Sequence, residues 1–539
     1  MLANKKSLLA VSIAASLTLT GCFSDNDNNV KVTPPTPTEP VTEVVPPSGL
    51  VTEQPAKVFA VSVIDSVNAD VLEGATVSFL VDGAAATSLT DVNGADLTSV
   101  VVDASGSFNF LSKEGASGEV TAVVTQTGYA AKSFIVDLNA EAEEGAKDVP
   151  LQFTLVKIAG NSLKETTKAV AVDGAVTTAE VTVEAKTESG KGGTGVAIDA
   201  STELRDATGA PVSGGDVSLS VLAADSNDNS VGAIIPEGLN AAGATQVATP
   251  VGVTNVNMQA GTTKIKQFSK PITLTTTLPA SSGVTVGDVL DVASHNEDTG
   301  EWQSETNKAT VTAQNADGTF AAQFKTDHLT FFSVNRNAPV CQDGVSINVT
   351  SGTVPPRGLA VSITSSDGSI GSYLRGNSKQ IISGSATARY GISATATANV
   401  RVYDYSGNDW YNSNGEVSVC GAIPVTLGNP VQTFDADFTL AGTCADTSNG
   451  TVAVDLSGSV VTYAKNGKAA SVAASLGNST FRLSGLEANA EYTIRTTVRG
   501  AQVASGGQSV VTNTTTGAAT SPISQAVTLT CETRVVTGG

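Results

Sequence analysis

The chain has 539 residues, of which 52 are Gly, 5% are aromatic and 15% are charged, and its formal net charge is −21. One hydrophobic core does not extend over such a length, because domains settle at roughly 50 to 250 residues, so three to five domains are expected. The Gly-rich, aromatic-poor composition suits β-structure with many turns and argues against helical bundles, while the acidic surplus presents no basic stripe to nucleic acid or anionic lipid.

At the start, Lys5 and Lys6 precede the apolar run "SLLAVSIAASLTL" (7 to 19), which is shorter than the roughly 20 residues a spanning helix needs. It ends in "LTGC", Leu19 to Cys22, which resembles the lipobox of bacterial lipoproteins. The resemblance implies a signal peptide over 1–21, removal of which leaves Cys22 as the first residue, lipidated on its thiol and amine. Cleavage takes away Lys5, Lys6 and no acid, so −21 becomes −23. It further implies a chain anchored to a membrane without spanning it. Phe23 stands where Asp would imply retention at the inner membrane, so the outer membrane is expected. Residues 22–55 then read as the lipidated Cys followed by a disordered, Pro/Thr-rich tether.

From 56 to 158 apolar residues alternate: Val77, Phe79 and Val81; Phe108 and Phe110; Val120, Ala122 and Val124; Phe134, Val136 and Leu138. Turn signals "DVNG" (91 to 94) and "ASG" (104 to 106) separate them, as in a small antiparallel sandwich. The string from "VLEGATVSFLVDG" to "AAKSFIVDL" resembles carboxypeptidase-regulatory-like and other bacterial Ig-like modules. That resemblance implies a fold and no ligand.

Residues 159–338 read as a larger β unit, with Val292, Val311, Phe320 and Phe324 alternating with polar residues. Its loop "ADSNDNSVG" offers Asp225, Asn227, Asp228 and Asn229, oxygen donors of the kind calcium takes. An EF-hand would need Gly at Ser230 and Glu at Pro236, so a surface turn is the simpler expectation. His295, in "SHNEDTG", is expected in a solvated turn. The stretch from Trp302 to Val334, ending in "HLTFFSV", resembles the end of the ZU5 and GAIN β-sandwich families. In self-cleaving members of those families the bond before the hydroxyl residue breaks. The resemblance implies His328 as base, Thr330 as nucleophile and Leu329–Thr330 as the scissile bond, with the piece from Thr330 onward retained as a central strand. The competing expectation is a buried strand in which His328 is satisfied by a hydrogen bond.

Two further β modules follow, at 339–430 and 431–539. After Cys22 four cysteines remain, and an exported chain invites their pairing. Of three connectivities, the spacing favours Cys341 with Cys420 and Cys444 with Cys531, each closing a loop of about 80 residues that is worth roughly 4.5 kcal/mol of unfolded-state entropy. No CxxC or nearby His suggests a metal in their place. "FRLSGLEANAEYTIRTTVRG" (481 to 500) resembles the E to F region of fibronectin type III domains, which implies Leu486 in the core and a tyrosine corner at Tyr492.

The fold class is thus all-β, tandem antiparallel Ig-like sandwiches on an N-terminal tether. The chain lacks GxSxG, HExxH, GxxxxGK[ST] and CxxCH, and it has only two histidines. The leading expectation is a noncatalytic outer-membrane lipoprotein, a rod of independently folding modules that scaffolds or adheres to a protein or glycan partner. No cofactor is expected beyond the lipid on Cys22. The alternatives are an autoproteolytic lipoprotein cut at Leu329–Thr330, and a carbohydrate-binding surface protein using Trp302 or Trp410, the only two tryptophans.

Overall fold

A computed structural model describes residues 41–142, 147–159, 161–241, 243–428, 431–446, 450–516 and 523–536. The chain divides into a small unit, described at residues 41–43 and 533–536, and a large unit, Val44–Glu532. The strands Val41–Val45 and Glu532–Val536 pair as a two-stranded ribbon. The large unit is all-β and carries four sandwich cores.

The first core joins a sheet ordered Asp148–Leu155, Val58–Asp65, Ser107–Ser112, Leu89–Asp91 to one built on Thr76–Val81, Glu119–Thr125 and Lys132–Asp137. Alternation produces it directly: Val77, Phe79, Val120, Ala122, Val124 and Val136 are all at most 1% exposed, while their neighbours face outward. Phe59 and Phe110, opposite each other on neighbouring strands of the first sheet, stack at 4.8 Å inside the core.

The second core lies in a hydrogen-bonded sheet of thirteen strands among the described residues. Its path runs Leu163–Val170, Val217–Ala224, Gln246–Ala260, Phe331–Pro339, Val289–Asn296, Ala309–Gln314, Phe320–His328, Gln267–Leu278, Gly193–Ile198, Val181–Lys186. The strands at its two ends contribute to one cluster, including Val183, Val196, Leu219, Val221, Leu274 and Phe332, so the sheet folds over onto itself as a sandwich.

The third core packs Val345–Ser351 and its neighbours against Leu359–Ser365, Thr397–Tyr403 and Asp409–Ser418; the fourth packs Thr433–Asp446 and Thr480–Glu487 against Val460–Lys465 and Glu491–Thr497. In the first, third and fourth sandwiches an early strand pairs in parallel with a late one: Val58–Asp65 with Asp148–Leu155, Val345–Ser351 with Gly421–Thr426, and Thr433–Asp446 with Ile523–Leu529. Parallel first and last strands bring the chain in at one end of a sandwich and out at the other, which suits modules joined in series. Each of the two disulfides sits at one end of such a pair. Cys341–Cys420 lies just before both strands, and Cys444–Cys531 joins the end of one strand to the residues just after the other.

Two expectations need correcting. The linker predicted over 22–55 is docked at its far end: Val44 and Leu50 pack against the fourth core, and the Val51 amide donates to the Arg499 carbonyl at 3.0 Å. Pro/Thr-rich composition carries no sign of this, because the surface that receives the segment begins at Ala436, far away in sequence.

Nor do the modules fold as a rod of independent units. Ile64 and Ala69 of the first, Ala360, Tyr373, Tyr403 and Tyr405 of the third and Ala469 of the fourth form one buried cluster. Ala130 and Val156 of the first share another with Leu222, Ile234 and Phe331 of the second. Polar bridges cross the same seams: Arg375 Nη2 to Asp148 at 2.6 Å, Gln152 Nε2 to the Tyr403 hydroxyl at 2.6 Å, Lys468 Nζ to Asp70 at 2.6 Å, and Lys132 Nζ to the Ser369 hydroxyl at 2.8 Å. At the seam of the second and third modules the backbones come so close that a Cβ on Gly232 would meet the Ser365 carbonyl at 1.8 Å, an approach only glycine tolerates.

Candidate functional site

His328 closes the strand Phe320–His328, and Phe331 opens the strand Phe331–Pro339. The two strands do not pair with each other: the first lies between Gln267–Leu278 and Ala309–Gln314, the second between Gln246–Ala260 and Val289–Asn296. Leu329 and Thr330 are therefore the crossover from one half of the sandwich to the other. Both are buried, at 2% and 4% exposure. Their backbone is tied down by Leu329 N to the Lys266 carbonyl at 2.9 Å and by Val256 N to the Thr330 carbonyl at 3.2 Å.

The chemistry of self-cleavage needs the imidazole on the hydroxyl. Here the two are occupied elsewhere. The Thr330 hydroxyl donates to the backbone carbonyl of His295, while His328 Nε2 faces Glu305 Oε1 at 3.3 Å and its Nδ1 lies 3.1 Å from the Thr326 hydroxyl. The hydrogen bond to Glu305 raises the His328 pKa, burial opposes the rise, and the nearby Asp327 adds to it. Glu305 is itself opposed by burial, yet hydrogen bonds from His328 and from the Ser294 hydroxyl, at 2.5 Å, hold its carboxyl below the usual range. None of residues 328–330 has a positive φ, so no left-handed backbone strain is stored at the bond. The arrangement is that of a satisfied histidine at a strand end and a threonine locking two strands together.

His295 is a correction. It is no solvated turn residue: it lies in the strand Val289–Asn296 and is 1% exposed. Register sets it opposite Trp302 on one side and Phe331 on the other, with the Trp302 ring at 5.1 Å. Burial, opposed by the backbone at Gly300, pushes its pKa down to about 4, and neither ring nitrogen has a partner of good hydrogen-bond geometry. The polar string "SHNEDTG" hides this because its last residues do form the turn while its first three continue the strand.

The calcium candidates act as caps. Asp225 accepts from the Asn227 amide at 3.0 Å and from the Ser189 hydroxyl at 2.7 Å, and Asp228 caps the short 3-10 helix Asn229–Ile234 through the Ser230 amide at 2.9 Å. Asn229 is the first residue of that helix. Among the described residues no three His, Cys, Asp or Glu side chains gather closely enough to hold a metal ion.

Of the two tryptophans one is buried and the other, Trp302, lines an open cleft with Gly238 and Arg389. Trp410 is 7% exposed with its indole N–H on Asp404 at 3.2 Å, and the half-buried Trp302 donates to the Glu237 carbonyl at 3.2 Å. Both cysteine pairs are bridged, Cys341 to Cys420 and Cys444 to Cys531. In the fourth sandwich Leu486 is fully buried, and the Tyr492 hydroxyl accepts from the Glu487 amide at 3.0 Å, the geometry of a tyrosine corner. Cys22 lies outside the described residues, as does the signal segment.

What sequence reasoning missed is a group of basic residues, Lys147, Arg357, Arg375, Lys379 and Arg482, drawn from three modules into one cleft. Spread over more than 300 positions, they form no charge run. The one local signal was "PPRG" (355 to 358), a turn motif presenting an arginine.

No protein-family model matches the chain, and no curated protein matches it in sequence. Among solved structures it is similar to the full-length major pilin SpaD from Corynebacterium diphtheriae, at 9% identity over 88% of this chain and 97% of that one, with a TM-score of 0.14. It is also similar to the fimbrial protein FimP from Actonomyces oris, at 9% identity over 89% and 99% with a TM-score of 0.15. Two B repeat units of the collagen binding protein of Staphylococcus aureus give 10% identity over 91% and 99%, with a TM-score of 0.13. At such TM-scores no residue of this chain is matched to a functional residue of those proteins.

Proposed function

We propose that the chain is a noncatalytic lipoprotein of the outer membrane, lipidated on Cys22, whose docked β-sandwiches act as a scaffold presenting a binding surface to a protein or glycan partner. The observation that carries the scaffold reading is the set of seams. Buried clusters and side-chain bridges fix the first sandwich against the other three, and a disulfide staples each of the last two. Such construction holds surfaces in a set arrangement. The anchor rests on Lys5, Lys6, the short apolar run and "LTGC".

The anchor is tested by feeding radiolabelled palmitate to cells producing the wild type and Cys22→Ala. Label and membrane fractionation are expected in the wild type and lost in the variant; a labelled or membrane-bound variant defeats the anchor. The noncatalytic reading is tested by intact mass and denaturing gels of the chain from residue 23, beside Thr330→Ala. One uncut chain is expected from both. Scaling from 54.2 kDa over 539 residues, pieces near 31 and 21 kDa, absent from the variant, would restore self-cleavage. Thr330→Ala should also cost about 1 to 3 kcal/mol in urea unfolding, since it leaves the buried His295 carbonyl without its donor.

A further inference from the structure

Four asparagines precede a glycine: Asn93–Gly94, Asn414–Gly415, Asn449–Gly450 and Asn466–Gly467. Such a step can close on itself, because glycine has no Cβ to keep its backbone nitrogen away from the asparagine carboxamide. Asn449 lies outside the described residues. The structure holds the other three very differently.

Asn93 and Asn466 are fixed. In the first sandwich the Gly94 amide donates to the Asp91 carbonyl at 3.1 Å and the Asn93 amide to Asp91 Oδ1 at 2.8 Å, so the nitrogen that would attack is committed to the turn. The Asn93 carboxamide oxygen is buried. In the fourth sandwich a neighbouring strand holds both ends of the Asn466 carboxamide: Nδ2 donates to Glu491 Oε2 at 3.2 Å, and Oδ1 accepts from the Thr493 hydroxyl at 3.1 Å. The Gly467 carbonyl accepts from the Val71 amide of the first sandwich at 3.2 Å, which ties this turn into a seam.

Asn414 sits in a bulge. Its strand, Asp409–Ser418, is the outermost of its sheet in the third sandwich among the described residues. Register passes from Arg401 opposite Asn412 to Asn399 opposite Glu416, so Ser413, Asn414 and Gly415 face the single residue Val400. Asn414 has φ 52 and Gly415 φ 149. Both are exposed, and a Cβ on Gly415 would have nothing within 4 Å. The Asn414 amide and carboxamide bond only within their own turn, N to Asn412 Oδ1 at 2.9 Å and Nδ2 to the Asn412 carbonyl at 3.2 Å. A bulge on an edge strand opens at little cost, since few ladder bonds must break.

We propose that Asn414–Gly415 is a modification site, at which the folded protein deamidates without an enzyme. The Gly415 backbone nitrogen gives its proton to water and attacks Asn414 Cγ. The N–Cγ bond forms, the Cγ–Nδ2 bond breaks, and the carboxamide nitrogen takes up a proton and leaves as ammonia. Water then opens the five-membered imide at either carbonyl, leaving aspartate or isoaspartate. The product puts a carboxylate two residues from Glu416 on an edge strand, where charge opposes pairing with a second sheet. Isoaspartate lengthens the backbone by one carbon, which the bulge absorbs because the register pairs none of residues 413–415.

The test is peptide mass mapping, with isoaspartate detection, of the chain from residue 23 aged in mildly alkaline buffer, beside the same chain aged in guanidinium chloride. Dividing each native rate by the denatured rate at the same asparagine removes the effect of local sequence. The quotient for Asn414 is expected to exceed those for Asn93 and Asn466 by about tenfold or more, equivalent to about 1.4 kcal/mol of protection at the held sites. The comparison is made within one wild-type chain, so no variant has to fold. Asn414→Gln should remove the early product and leave the slower sites unchanged. The proposal is overturned by equal quotients at the three sites, by earlier native conversion at Asn93 or Asn466, by no conversion at Asn414, or by an early product that persists in Asn414→Gln.

Discussion

The two histidines stand on facing parts of one sandwich and respond to pH in opposite senses. His295 is neutral in the folded state, with a pKa near 4 against 6.5 unfolded. Between those values the unfolded chain binds the extra proton, so acidification from pH 6.5 to 4 removes stability, by about 3 kcal/mol for the full shift. His295→Phe, placed between Trp302 and Phe331, should lose that share of the pH dependence; urea unfolding of both proteins at pH 6.5 and pH 4 measures it, and equal acid losses would show that His295 is not the source. His328 has a raised pKa through Glu305, so its contribution is fully present below 6.5 and fades as pH rises through the folded value. From sequence, His295 is expected in a solvated turn and His328 at a buried strand end. Which one was buried depended on strand register, since a shift of one residue would turn His295 from the Trp302–Phe331 cluster to the opposite face.

At the level of elements, the strands were the most legible part of the chain. The alternation read at Val77, Phe79 and Val81 is the strand Thr76–Val81, and that at Phe134 and Val136 is Lys132–Asp137. The period of two is a local property that the pleat imposes on any half-buried strand. The tyrosine corner was expected from the resemblance of residues 481 to 500 to fibronectin type III domains, and its partners Tyr492 and Glu487 lie five residues apart. Tyr492→Phe should cost about 1 to 3 kcal/mol, because the Glu487 amide would be left buried without an acceptor; a urea midpoint unchanged from wild type would contradict that. The parallel pairing of first and last strands is non-local, and the disulfides act on it. Replacing Cys341 and Cys420 together by Ser should cost about 2 to 5 kcal/mol, the span usual for a native disulfide. The loss should fall mainly on the third sandwich, which hydrogen exchange of Val345–Ser351 would register against the first.

For the molecule as a whole, the seams carry the consequence. A chain ending at residue 338 keeps two complete sandwiches but uncovers Ile64, which is 2% exposed in the intact protein and packs among Tyr373, Tyr403 and Tyr405 of the deleted part. Burying such a side chain is worth roughly 1.5 to 3 kcal/mol. The truncated chain should therefore melt at lower temperature than the intact protein and bind a hydrophobic dye; an unchanged melting temperature of the first sandwich would instead mean independent modules. Glu237 and Lys132 add to this coupling. Burial pushes Lys132 down to about 8, opposed by the Glu237 charge, and Glu237 accepts from the Ile135 amide at 2.8 Å across the seam of the first two modules.

The all-β class and strands such as Thr76–Val81 and Lys132–Asp137 were legible in the sequence, and its spacing favoured one cysteine pairing of three, because alternation, turn chemistry and loop spacing are local properties of the chain. That the modules dock, that His328 and Thr330 face different partners, and that basic residues from three modules share a cleft came from the packing of distant segments. Those outcomes depend on which surfaces meet, and contacts between residues hundreds of positions apart leave no periodic trace in either partner's local sequence.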